Sequence, residues 1–166
     1  VTGVQTCALP IFKQTVQPLE IIVVDDCSTD STSSIDFSKI SPLIRYIPLN
    51  EKHFGATRNV GIQAAKGDWI ALLDSDDLWL PNKLERQIAF LKASNEPISV
   101  LACNSLWRRP GHSDEVFNTK RRNVGEHISH YIMVRDGAYQ TSTLLIKRDV
   151  LMANLFDTKL RKHQDW

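Results

Sequence analysis

Trp69-Ile70-Ala71-Leu72-Leu73-Asp74-Ser75-Asp76-Asp77-Leu78-Trp79-Leu80-Pro81 runs from a mostly apolar pentapeptide straight into three carboxylates spaced D-x-D-D, then turns at Pro81. A short apolar run of this kind predicts a strand buried on both faces, as in a mostly parallel sheet. The acids then emerge at its carboxyl end, where open α/β sheets place their ligands. Three carboxylates in four residues repel one another, and a cation relieves the repulsion. Hard oxygen ligands suit Mg²⁺ or Mn²⁺, ions that complete their shells with substrate phosphates. Acidic surface turns are common and most bind nothing, but loop carboxylates just beyond a buried strand point more strongly to function. A calcium loop would use Asp74, Asp76 and Glu85 at its first, third and twelfth positions. It fails because Trp79 stands at the sixth, where the sharp turn wants Gly. The stretch reads as a metal-dependent site for a phosphorylated substrate.

Working outward, 166 residues suit one domain with a sizeable core. A hydrophobic content of 42% and a charged content of 23% are those of an ordinary globular chain. The net charge of +1 excludes the broad basic footprint of a nucleic-acid binder, and Lys120-Arg121-Arg122 reads as a solvated loop. No apolar stretch approaches a membrane span. Cys7, Cys27 and Cys103 have no metal-ligand spacing and no even count for a disulfide framework, which fits a reducing, cytosolic setting.

Leu19 to Val24 is a β-branched run ending in Asp25-Asp26, a second buried strand with acids at its carboxyl end. Ser28 to Thr32 offer N-caps for a helix over 33–40. A strand is expected over 43–49, a loop over 50–54, a helix from Gly55 to Lys66 stopped by Gly67, the strand 69–73, and an amphipathic helix over 81–93. Beyond Ile98 the pattern predicts a long strand to Trp107, a short return over 114–117, a helix over 126–133, a strand over 142–146 and a helix over 148–154. The β-α-β-α-β order up to Leu73 argues an α/β layered sheet. Right-handed parallel connections put both acid clusters on one sheet edge. Gly55 permits close backbone approach at a helix start, where amides and the dipole favour phosphate, and Arg58 lies in the first turn beside it. Val1 to Ile11 shows neither helical nor alternating period, resembles translated adapter sequence, and is set apart as non-native.

From Lys13 to Trp166 the chain resembles a family 2 glycosyltransferase. The likeness rests on Gln14-Thr15, VVDDCSTD (Val23 to Asp30), N-x-x-x-x-G-x-x-R-N-x-G (Asn50 to Gly61), LLDSDDLWLP (Leu72 to Pro81), Thr141-Ser142-Thr143 and His163-Gln164-Asp165-Trp166. Each segment alone is weak, but together, in order and at sensible distances, they are highly specific. The resemblance implies a GT-A fold, an α/β/α arrangement on a mostly parallel sheet, with residues 12–166 forming a partial catalytic domain. Such enzymes open with a strand and a nucleotide-pocket loop, and roughly two dozen residues of that kind are lacking here. The lacking strand belongs in the middle of the sheet. The acceptor-side helices that normally follow the late acidic residue are lacking too.

The same resemblance implies a nucleotide-sugar donor (a UDP-sugar), an unidentified glycan, lipid or protein acceptor, a Mn²⁺ or Mg²⁺ ion, and transfer with inversion. Asp26 would accept from the base, Asp74 would meet the ribose or sugar side, Asp76 would hold the metal, and Arg58 would either meet the diphosphate or salt-bridge the acidic loop. Asp165 would be the general base on the acceptor hydroxyl. Asp25 is assigned to capping the next helix or to loop amides, Asp77 to indirect support of the site or capping of the next helix, and Trp79 to packing. Cys27 stands where Gly is usual in the family, which is tolerable if the turn needs no positive φ. Bacterial surface-polysaccharide synthesis, at the cytoplasmic face of a membrane with peripheral attachment, is the setting the family suggests.

Two other readings stand beside this one. A response-regulator receiver also has a strand ending in two acids and a later phospho-accepting Asp, here Asp74. It needs a lysine ending a nearby later strand, and Lys147 lies 73 residues beyond Asp74. A non-catalytic fragment that keeps only the fold would expose unpaired strand edges.

Overall fold

A computed structural model describes residues 10–50, 56–117, 120–123, 125–134 and 138–159. Strand β1 (Ile21–Asp25) pairs in parallel with β2 (Ile44–Pro48), in register from Ile21 opposite Ile44 to Asp25 opposite Pro48. Between them the expected helix over 33–40 is split. Asp30 accepts from the Thr32 N–H at 2.9 Å and starts a 3₁₀ turn over Ser31–Ser34, Ile35 is extended, and only the single turn α1 (Phe37–Ile40) follows. The local Asp side-chain bond competes with a continuous helix. Phe37 is buried and stacks on Tyr46 of β2 with ring centroids 4.5 Å apart.

Helix α2 (Ala56–Ala64) lies on β1: a Cβ on Gly61 would come 3.4 Å from Val24 Cγ2. Strand β3 (Trp69–Ala71) ends two residues earlier than predicted, and α3 (Lys83–Ala93) begins two residues later. The long strand expected over 98–107 is broken into β4 (Val100–Leu101) and β5 (Ser105–Trp107), and β5 forms an antiparallel hairpin with β6 (Glu115–Phe117). Helix α4 (Ile128–Met133), a 3₁₀ turn over Thr141–Thr143, β7 (Leu145–Lys147) and α5 (Arg148–Ala153) complete the described chain. Residues 142–144, expected to open a strand, instead form most of that turn and its exit.

Strand β7 runs antiparallel between β3 and β4, so this three-stranded sheet is antiparallel, and the parallel pairing among the described residues is that of β1 with β2. Alternation along the strands divides the interior into two layers. Ile21, Val23, Ala71 and Leu73 pack with Trp79, Leu84 and Ile88 on one face; Ile70 and Leu72 pack with Ile62, Ile146 and Leu151 on the other. Ile11, at the end of the segment set apart in the sequence, belongs to the first cluster at 8% exposure.

Among the described residues β1 and β3 pair only with β2 and β7, respectively, and their other edges face a cleft of about 1190 Å³. The cleft is lined by every residue from Ile21 to Asp26 and from Trp69 to Ser75. A pocket on a sheet face would meet alternate residues; unbroken succession is what a strand edge presents. The cleft thus separates the β1-β2 pair from the β3-β7-β4 sheet.

Candidate active site

The acidic end of β1 is built around Asp25, which is buried. It accepts from the Ser28 N–H at 2.9 Å and from the Tyr46 hydroxyl. Burial pushes the Asp25 carboxyl up, and the bonds from Ser28 and Tyr46 outweigh it, holding the group below the usual carboxylate range. The Tyr46 phenol is pushed up to about 12 by burial and by the bond to Asp25. Asp25 thus serves the turn, as expected, and its neighbour Asp26 lines the cleft.

That turn corrects one expectation. Cys27 has φ +58, the only positive φ at a non-glycine among the described residues, and its thiol donates to Leu49 O at 3.1 Å. The turn does demand the left-handed region, which costs a residue with a Cβ roughly 1–2 kcal/mol. Cys27→Gly is therefore expected to stabilise the fold by about 1 kcal/mol, raising the thermal midpoint by about 2–4 °C. A lower midpoint would mean that the weak thiol bond outweighs the strain.

On the other wall, the chain leaves β3 because its next amides are taken by the 141–144 segment. Leu72 N–H reaches Leu144 O at 3.4 Å and Asp74 N–H reaches Ser142 Oγ at 2.9 Å. Asp77 N–H closes the acidic loop onto Asp74 O at 3.1 Å. Arg58, from α2, donates to Asp74 Oδ1 at 2.9 Å and lies 5.4 Å from the Phe156 ring. Of the two roles open to Arg58, the ion pair with the loop is the one observed. Gln140 Nε2 lies 2.9 and 3.1 Å from the two Asp77 oxygens. Asp77 therefore does not cap α3, whose N-cap residue is Asn82. Asp76, between these two held carboxylates, is exposed.

Trp79 is buried and donates its indole N–H to Ser142 O at 2.9 Å, so it packs the loop, as expected. Below it Lys83 lies 4.1 Å from the Trp79 ring and donates to Gln87 Oε1 at 2.9 Å. Burial pushes the Lys83 amine down to about 8. Gln14 joins Leu80 O to the Leu84 N–H, at 2.8 and 3.1 Å, and so fastens the loop to the start of α3.

The structure brings Asp26, Arg58 and Asp74 to one cleft, with Asp76 on the adjoining exposed turn. Asp165, with the rest of His163–Trp166, lies outside the described residues, as do His53 and Gly55. Among the described residues no three His, Cys, Asp or Glu side chains form a metal cluster. The donor set still suits Mg²⁺ or Mn²⁺, because such ions are held by one or two carboxylates and take their remaining oxygens from phosphate and water. Ser142 and Asn59 stand in segments that carry the family likeness, which assigns them no role, and Gln140 has no charge to mark it in the sequence. Asn59 exchanges two hydrogen bonds with the Phe156 backbone, at 2.8 and 2.9 Å, and ties α2 to the segment after α5. Lys147 pairs opposite Trp69, at the end of β3 away from Asp74, which removes the phosphoryl-holding lysine a receiver would need.

The sequence model for "Glycosyl transferase family 2" matches residues 4–149. The chain is 43% identical over 83 residues to the succinoglycan biosynthesis protein ExoO of Rhizobium meliloti (strain 1021), covering 49% of this chain and 24% of ExoO. It is 29% identical over 164 residues to the amylovoran biosynthesis glycosyltransferase AmsB of Erwinia amylovora, covering 93% of this chain and 54% of AmsB. The crystal structure of S. aureus TarS superposes with a TM-score of 0.68 at 20% identity, over 99% of this chain and 30% of TarS. The chain thus spans less than two thirds of the length of these relatives. No helix among the described residues is long and apolar enough to cross a membrane. With the acid-edged cleft between two helix layers and a family match over most of its length, the chain belongs to glycosyl transferase family 2 and has the GT-A fold.

Proposed function

We propose that this chain binds a nucleoside-diphosphate sugar, a UDP-sugar, and serves metal-dependent, inverting transfer to an acceptor hydroxyl. The observation that carries the reading is the meeting of Asp26, Arg58 and Asp74 at one cleft from three separate elements. Asp26 accepts the imide N–H of the base, a charge-assisted contact that a neutral side chain would not match. Asp74, steadied by Arg58, takes the ribose or sugar side, and Asp76 holds Mn²⁺ or Mg²⁺ against the diphosphate. The ion, when bound, offsets the charge growing on the leaving diphosphate. Asp165 takes the proton of the acceptor hydroxyl as it attacks the anomeric carbon from the face opposite the leaving group. Names such as succinoglycan and amylovoran biosynthesis among the relatives favour a glycan as acceptor; action at the inner face of a membrane, with peripheral attachment, is part of the same proposal.

Calorimetric titration of the whole protein with UDP and Mn²⁺ tests this. Asp26→Ala should weaken UDP binding by about 10–100-fold, the equivalent of one hydrogen bond to a charged group. Tighter binding of a nucleotide lacking an imide N–H, or an unchanged affinity in Asp26→Ala, would overturn the assignment of the base pocket.

A further inference from the structure

The acidic loop carries three carboxylates, yet only one is left open. Arg58 holds Asp74, and Gln140 holds both oxygens of Asp77. Gln140 is itself fixed: its carbonyl accepts from the Thr143 N–H at 2.9 Å and from Thr143 Oγ1 at 2.6 Å, within a turn whose Thr141, Ser142 and Thr143 are all buried. The same turn takes the Asp74 N–H on Ser142 Oγ and the Trp79 indole on Ser142 O. The loop is therefore gripped on both sides of Asp76.

We infer that Gln140 is a positioning residue that decides which loop carboxylate meets the cation. It withholds Asp77, leaves Asp76 as the ligand, and so makes cation binding depend on the incoming diphosphate. This rests on the proposed role of Asp76. Two adjacent free carboxylates would attract a divalent ion with no substrate present, whereas a single exposed carboxylate holds one only weakly in water. A neutral amide suits the task because it binds the Asp77 oxygens without placing a second positive charge beside the site. Lysine or arginine at 140 would repel the cation directly.

The test is Mn²⁺ binding followed by electron paramagnetic resonance, with and without UDP, in the whole protein and in Gln140→Met, which keeps the length and removes the donor. Gln140→Met should tighten UDP-free Mn²⁺ binding by about tenfold, or 1.4 kcal/mol. Adding Asp77→Asn should reverse that gain. Equal weakening of Mn²⁺ binding with and without UDP, untouched by Asp77→Asn, would show a merely structural residue and overturn the inference. If UDP fails to enhance Mn²⁺ binding in the unmodified protein, the proposed donor site falls, and the inference with it.

Discussion

Exchange of Asp165 for Asn is expected to lower turnover by about 10²–10⁴, the usual contribution of a positioned general base. Asparagine keeps the shape and loses only the capacity to accept a proton, so the deficit falls on chemistry. Donor affinity, read by calorimetry with UDP and Mn²⁺, should stay within a few-fold, because Asp165 is proposed to act on the acceptor. The pairing of a large rate loss with an intact donor site separates this residue from Asp26, whose removal should do the reverse. Unchanged turnover in Asp165→Asn would send the search for the base elsewhere in the chain.

Asp76→Ala is expected to remove Mn²⁺-dependent donor binding, a loss of about 100-fold or more, since the proposed direct ligand and its compensating charge disappear together. Asp77→Asn should be far milder. Its carboxylate already accepts from Gln140, and the amide that replaces it keeps one oxygen for that bond. Isothermal titration of each variant with UDP at saturating Mn²⁺ distinguishes the two, and equal losses would reassign the ligand to Asp77.

The layered fold was legible because its strands are written in long-lived patterns. Ile21 to Val24 is β-branched throughout, and Trp69 to Leu73 runs unbroken into its acids. Both acid clusters could be placed on one edge from connection handedness alone. What escaped notice depends on partners far away in the chain. Ser142 ends β3 by taking the Asp74 amide across 68 residues, so a tripeptide with strand propensity becomes a 3₁₀ turn. Gln140 is uncharged, and nothing local distinguishes it from a surface amide; Asn59 stands in a family-like segment, but its partner Phe156 lies 97 residues further on. The positive φ at Cys27 was hidden for a different reason. A residue with a Cβ gives no local sign that it will be held in the left-handed region, and here Asp25 and Leu49 bond the residues around it and its thiol.

The unpaired edges of β1 and β3 bear on more than architecture. Among the described residues no hydrogen-bond ladder joins β1 to β3; the two half-sheets meet through side-chain contacts of the flanking helices, Leu84 and Ile88 on one face and Ile62 on the other. Side-chain packing yields more readily to small shear than a ladder does. A ligand that touches both aspartates therefore acts as a crosslink between half-sheets, and its concentration becomes a variable of folding. At a hundredfold excess over Kd such a ligand adds about 2.7 kcal/mol, a large part of the 5–15 kcal/mol that ordinarily separates a folded domain from its unfolded chain. In the 166-residue chain, a donor that met both proposed contacts, Asp26 and Asp74, would help to hold the two half-sheets in register.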